Sequence, residues 1–101
     1  MNEIESLIKK VDDFRDERNW RQYHNAKDLA ISLSIEASEL LEAFQWKKSE
    51  EAWEENKENI KEEIADVLIY ALTLCSELNV DVEKIVVDKI RKNRERYPSK
   101  K

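Results

Sequence analysis

Glu63-Ile64-Ala65-Asp66-Val67-Leu68-Ile69-Tyr70-Ala71-Leu72 decides the fold class. Nothing in it breaks a helix, and from Ile64 onward it is apolar on nearly every side. A helix of that kind belongs at the centre of a bundle or at an interface. Yet it carries two carboxylates three residues apart. A second stretch, Leu29-Ala30-Ile31-Ser32-Leu33-Ser34-Ile35-Glu36-Ala37-Ser38-Glu39-Leu40-Leu41, repeats the arrangement. On a helix each pair lies on one face, about 4.5 Å apart along the axis. Apposed, the two faces make a cluster of four acids, Glu36, Glu39, Glu63 and Asp66.

Electrostatics sets the cost of such a cluster. Carboxylates a few ångströms apart in partly dry surroundings repel, so without a counter-ion some take up protons. A hard divalent cation removes the conflict, and Mg²⁺ or Mn²⁺ suits an all-oxygen site that also binds phosphates. In a chain that is 41% charged, one Glu-x-x-Glu alone is ordinarily a solvated helix face. Two of them inside the most apolar segments are harder to explain that way.

The rest of the chain points to an all-α protein. Gly is absent and Pro occurs once, at Pro98, which leaves little prospect of hairpins or Gly-rich phosphate loops. Ile4, Leu7, Ile8, Val11 and Phe14 predict a first amphipathic helix ending before Asn19–Tyr23. Asn25, with Asp28 three positions on, caps a second helix running to about Lys47. Ser49 caps a short acidic turn through Trp53, and a third helix spans about Asn56 to Leu78. Asp81 caps the last, with Val82, Ile85, Val86 and Ile90 on its apolar face and Lys89, Arg91, Lys92, Arg94 and Arg96 toward its end, where cations suit the helix dipole. The expectation is four main helices in an antiparallel bundle that packs into an oligomer, plus one short connecting helix.

The 101 residues form a single expected domain, 1–101, with a disordered tail at Ser99–Lys101. No stretch approaches the roughly 18 apolar residues of a membrane span and the N-terminus lacks a signal peptide's apolar core, so a soluble cytoplasmic protein is expected. The single cysteine, Cys75, sits on an apolar stripe and reads as a buried free thiol. A net charge of −5 argues against binding a nucleic-acid polymer.

Taken together, Glu36-x-x-Glu39 followed by Glu63-x-x-Asp66, the run Phe14–His24 with Trp20, Phe44-Gln45-Trp46-Lys47, and Lys89-Ile90-Arg91-Lys92-Asn93-Arg94-Glu95-Arg96-Tyr97-Pro98 resemble the MazG-like all-α nucleoside triphosphate pyrophosphohydrolases, in particular their short dCTP pyrophosphatase branch. The resemblance covers roughly residues 7 to 98. It implies Mg²⁺-dependent cleavage of a nucleoside triphosphate to monophosphate and pyrophosphate, by a homodimer or homotetramer whose sites a second subunit completes.

In those roles Glu36, Glu39, Glu63 and Asp66 hold the metal and activate a water that attacks the α-phosphorus in line. Spacing does not separate ligand from base; we assign the base to Glu39. Lys89, Asn93 and Arg94, at one end of the last helix, meet phosphate oxygens, though a solvated cationic turn would look the same. Tyr70, one turn past Asp66, donates to a phosphate or sugar oxygen. Trp20 and Trp46 wall the nucleoside pocket. His24, the single histidine, contacts base or phosphate, the alternative being an exposed loop histidine.

Other readings compete. Carboxylate-bridged di-iron bundles use Glu-x-x-His on facing helices, which His24 does not supply. A non-catalytic helical oligomerisation or interaction module accounts for the amphipathic helices but leaves the acids in apolar segments unexplained. Related enzymes act on dUTP or phosphoribosyl-ATP; the aromatic loop favours dCTP or another deoxynucleotide.

Overall fold

The computed structural model describes residues 1–99, in the order α1 (Glu3–Glu17), a 3₁₀ turn (Arg21–Tyr23), α2 (Ala26–Glu42), α3 (Ser49–Glu77) and α4 (Val82–Arg96). Among the described residues there is no strand. Three of the helices begin on a side-chain cap that satisfies an otherwise orphaned N–H. Asn2 accepts from the Glu5 amide, Asn25 from that of Asp28 and Asp81 from that of Lys84. Asn25 also donates from Nδ2 to the Asp28 carboxylate at 2.9 Å, so the expected pairing of these residues is present.

With no glycine available, asparagine ends the helices. Asn19 and Asn79 lie in the left-handed region, at φ 56° and 57°. In both places the two residues after the helix close back on its last turn: Asn19 N–H donates to Asp16 O and Trp20 N–H to Arg15 O, while Asn79 N–H donates to Ser76 O and Val80 N–H to Cys75 O. These are two Schellman motifs, with asparagine in the position glycine usually takes because its short polar side chain tolerates the left-handed conformation.

Two boundaries differ from expectation. α2 stops at Glu42 rather than near Lys47, and a tight turn follows in which Trp46 has φ 65°. The segment expected as a separate short helix at Ser49–Trp53 is the first part of α3, which bends at Asn56 (φ −120°, ψ 24°). One side chain links the two differences. Asn56 Nδ2 donates to the Ala43 carbonyl at 3.0 Å, capping the end of α2 while its own backbone leaves helical geometry. Ser49 is the first residue of α3, not its cap; Lys48 precedes it and makes no side-chain capping bond. The 3₁₀ turn falls within the segment expected as loop.

α2 and α3 are the main packed pair, and α1 packs on α3. The core is small: among the described residues Leu29, Ala43, Ala52 and Ile60 are the buried apolar ones, with Leu40 and Phe44 packed against the last three. The buried Thr73 hydroxyl donates to the Ile69 carbonyl at 2.6 Å, so it costs no unsatisfied group. No residue of α4 is buried, and Ile85, Val86, Val87 and Ile90 are each nearly half exposed. The radius of gyration is 16.4 Å, against about 13 Å for a compact chain of this length. Among the described residues no helix is long and apolar enough to cross a membrane. Of the expected disordered tail, Lys100 and Lys101 lie outside the described residues.

Candidate active site

The packing of α2 on α3 brings Glu63 up to the Glu36 and Glu39 pair, while Asp66, the fourth expected acid, is not among the carboxylates close enough to share one ion. Carboxylate oxygens of Glu36, Glu39 and Glu63 lie within 4.8 Å of one another. Glu36, Glu63 and Asp66 are half-buried, whereas Glu39 is exposed. Helical spacing turns each pair to one face, and the short turn after α2 lets α3 run back alongside it. Asn56 ties that turn to α3, fixing how far the two helices slide past each other.

The electrostatics are those of acids held closer than they would choose. Glu36 is pushed up to about 7, first by sharing a hydrogen bond with Glu39, which needs a proton between them, then by burial and by the charges of Glu39, Asp66 and Glu63. Glu63 is raised as well, mainly by burial and then by Glu39 and Asp66. Asp66 therefore acts on both partners through its charge. Among the described residues, Glu36 Oε2 and Glu63 Oε2 are shut off from solvent and find no hydrogen-bond donor. Unpaired buried carboxylate oxygens are costly unless something cationic meets them. The donor set is all oxygen and anionic, which fits a hard divalent ion.

An open cleft of about 440 Å³ borders these acids, lined by Glu39, Glu42, Ala43, Asn56, Asn59 and Glu63. Glu42, Asn56 and Asn59 were not singled out from sequence, where acidic and amide residues on a charged helix look like solvated surface. A second hollow, of about 560 Å³ between the N-terminal ends of α1 and α4, contains none of the acids.

A separate group forms at the end of α1. Trp20 meets Phe14 edge-to-face at 5.5 Å between centroids and His24 at 6.5 Å. The Arg18 guanidinium lies 3.7 Å over the Phe14 ring, within cation–π range. His24 is half-buried, and its Nδ1 is 3.4 Å from Arg15 Nη1, so it is not the free loop histidine that was one alternative. Arg15 is the residue that sequence reasoning passed over. The available signal was its register: Ile4, Ile8, Val11 and Arg15 share the inward stripe of α1, while Leu7 and Phe14 are about half exposed.

The remaining candidates are not drawn together within one chain. Trp46 is 97% exposed in the turn between α2 and α3. Tyr70 is half-buried on α3, one turn beyond Asp66. Lys89, Asn93 and Arg94 are exposed on α4. Among the described residues no side-chain hydrogen bond or ion pair joins these three to the acids or to the aromatic group.

A profile described as the MazG-like family matches residues 31–101. A rat protein named dCTP pyrophosphatase 1 is 37% identical over 100 residues, covering 94% of this chain and 59% of its own length. The human protein of the same name is 36% identical over 101 residues, covering 95% and 59%. The chain thus spans about three-fifths of the length of these relatives. The crystal structure of a pyrophosphatase from Archaeoglobus fulgidus superposes with a TM-score of 0.91 at 44% identity, covering 98% of this chain and 95% of that one. With an all-α fold, an acidic pair on each of two packed helices and a profile match over most of its length, the chain belongs to the MazG-like family.

Proposed function

We propose that this chain is a single-domain nucleoside triphosphate pyrophosphohydrolase that cleaves dCTP or another deoxynucleoside triphosphate to the monophosphate and pyrophosphate. The observation that carries the proposal is the pair of buried, donorless carboxylate oxygens, Glu36 Oε2 and Glu63 Oε2, within a cluster of acids on α2 and α3. The names of the relatives, dCTP pyrophosphatase and pyrophosphatase, support the reaction class.

Glu36, Glu39, Glu63 and Asp66 hold Mg²⁺, with Mn²⁺ as a substitute. A cation bound there would supply charge to neutralise triphosphate oxygens and to acidify the water for in-line attack at the α-phosphorus. Glu39, the exposed acid bordering the cleft, is the one a water reaches most readily, and it takes the proton. Tyr70 donates to a phosphate or sugar oxygen. Trp20 and Trp46 supply the apolar walls of the nucleoside site, with His24 beside Trp20.

Lys89, Asn93 and Arg94 serve the departing pyrophosphate. Their place on a helix with no fully buried residue in its own chain supports a site completed by a second copy, in a homodimer or homotetramer. The radius of gyration and the half-exposed Ile64, Leu68, Ile85 and Ile90 support the same self-association. Those exposed faces also favour the second reading, a helical oligomerisation module without chemistry. A pyrophosphate-release screen over canonical and modified triphosphates with Mg²⁺ separates the two. Turnover with pyrophosphate as product is expected; release of phosphate alone contradicts the assigned bond, and inactivity across the panel leaves the module.

A further inference from the structure

Arg15 puts a charge where an apolar side chain is expected. It continues the inward stripe of α1 and is 2% exposed. A guanidinium so placed is tolerable only if its N–H groups are answered. Nε donates to Asp12 Oδ1 at 3.0 Å, Nη1 to Glu77 Oε1 at 3.0 Å and Nη2 to Ser76 Oγ at 3.3 Å. The Ser76 hydroxyl donates onward to Asp12 Oδ2 at 2.8 Å. These contacts fasten α1 to the last turns of α3.

One more contact leaves the helices. Nη1 also lies 3.4 Å from His24 Nδ1, while the Arg15 carbonyl accepts the Trp20 N–H at 2.9 Å. A single buried residue thus holds the Trp20–His24 segment at both ends, by its backbone at Trp20 and by its side chain at His24. The side-chain contact also fixes a direction. Arginine donates and cannot accept, so Nδ1 must be the acceptor and the ring proton sits on Nε2, on the far side of the imidazole from Arg15.

We infer that Arg15 is a positioning residue for nucleotide selection: it fixes His24 beside Trp20 as a hydrogen-bond donor toward an acceptor atom of the substrate base. The inference rests on the proposed pyrophosphohydrolase reading. It separates Arg15 from a purely structural cation. A structural role alone lowers the amount or stability of folded protein, whereas a positioning role through His24 raises KM and makes the effect of Arg15 conditional on His24.

The test is steady-state kinetics of the full chain with Mg²⁺ on dCTP and on a purine triphosphate, for wild type, Arg15→Lys, His24→Ala, the double variant and His24→Gln. Lysine keeps the buried charge but cannot reproduce the forked set of donors. Arg15→Lys and His24→Ala should each raise KM for the preferred triphosphate roughly 3- to 10-fold, the range of one lost hydrogen bond, with kcat little changed. The double variant should be no worse than His24→Ala alone. His24→Gln, whose amide offers an acceptor to Arg15 and a donor outward, should recover most of the loss. Additive effects in the double variant, or an Arg15→Lys enzyme with unchanged KM, overturn the inference. If Arg15→Lys does not fold, equal losses in His24→Gln and His24→Ala overturn it instead. A wild-type chain that turns over no triphosphate removes the enzyme reading itself, an outcome distinct from an active enzyme with additive effects.

Discussion

Replacing Arg15 by methionine should be among the most destabilising single changes available in this chain. The side chain is 2% exposed, and its ion partners Asp12 and Glu77, both at 3.0 Å, are 21% and 31% exposed. Methionine fills much the same volume, so little packing is lost and the change isolates the charge. Breaking an ion pair buried at both ends costs about 3–5 kcal/mol. Here the stranded carboxylates keep some contact with water, which lowers the expected loss to about 2–3 kcal/mol, or two charge-assisted hydrogen bonds partly replaced by hydration. For a domain of this size that is a fall in Tm on the order of 10 °C or more. Urea denaturation at matched protein concentration measures it, since self-association would make stability concentration-dependent. A shift in midpoint without a change in slope is expected. A loss below about 1 kcal/mol would refute the view that this network joins α1 to α3, because a median surface ion pair gives no more than that.

Three further outcomes are expected. Glu36 binds its proton more tightly folded than unfolded, its value standing at about 7 against the ordinary 4.5; metal-free protein should therefore lose stability as pH rises from 4.5 to 7. Melting curves across that range with a chelator show it, and Mg²⁺ should remove the decline; a Tm that rises with pH in chelator contradicts the assignment. Asn79→Ala forces a Cβ-bearing residue without a local polar partner into φ 57° and should cost about 1 kcal/mol, whereas Asn79→Gly should be neutral or slightly stabilising; chemical denaturation distinguishes them. Trp46→Ala should leave stability nearly unchanged, the indole being 97% exposed, but raise KM and flatten discrimination among bases, with stacking worth about 1–3 kcal/mol; equal loss of rate on every triphosphate with KM unchanged would remove Trp46 from the nucleoside site.

Local chemistry explains which parts of this architecture are legible from sequence. Asn2, Asn25 and Asp81 act through a hydrogen bond three residues away, and the acidic pairs declare their face through a spacing of three, so Asn25, Asp81 and both pairs can be read directly. The bend at Asn56 depends on a carbonyl thirteen positions earlier, and no local pattern encodes it. The Asn residues at the helix ends are easily read as loop polarity, because glycine, the usual mark of a left-handed C-terminal residue, is missing. Arg15 was hidden for a similar reason: its partners Ser76 and Glu77 are more than sixty positions away. Periodicity can flag a charge on an apolar stripe but cannot say what answers it. The exposed apolar face of α4 follows the expected pattern; a single chain supplies nothing to cover it.

The most direct test of the central claim follows the oxygen. Hydrolysis of dCTP in ¹⁸O-labelled water with Mg²⁺, read by mass spectrometry of both products, reports which phosphorus the water attacks. Attack at the α-phosphorus, prepared by the acids of α2 and α3, places the label in the monophosphate and none in pyrophosphate, and Glu63→Gln should nearly abolish formation of both. Label in pyrophosphate, release of orthophosphate in its place, or a Glu63→Gln chain as active as wild type would contradict the account.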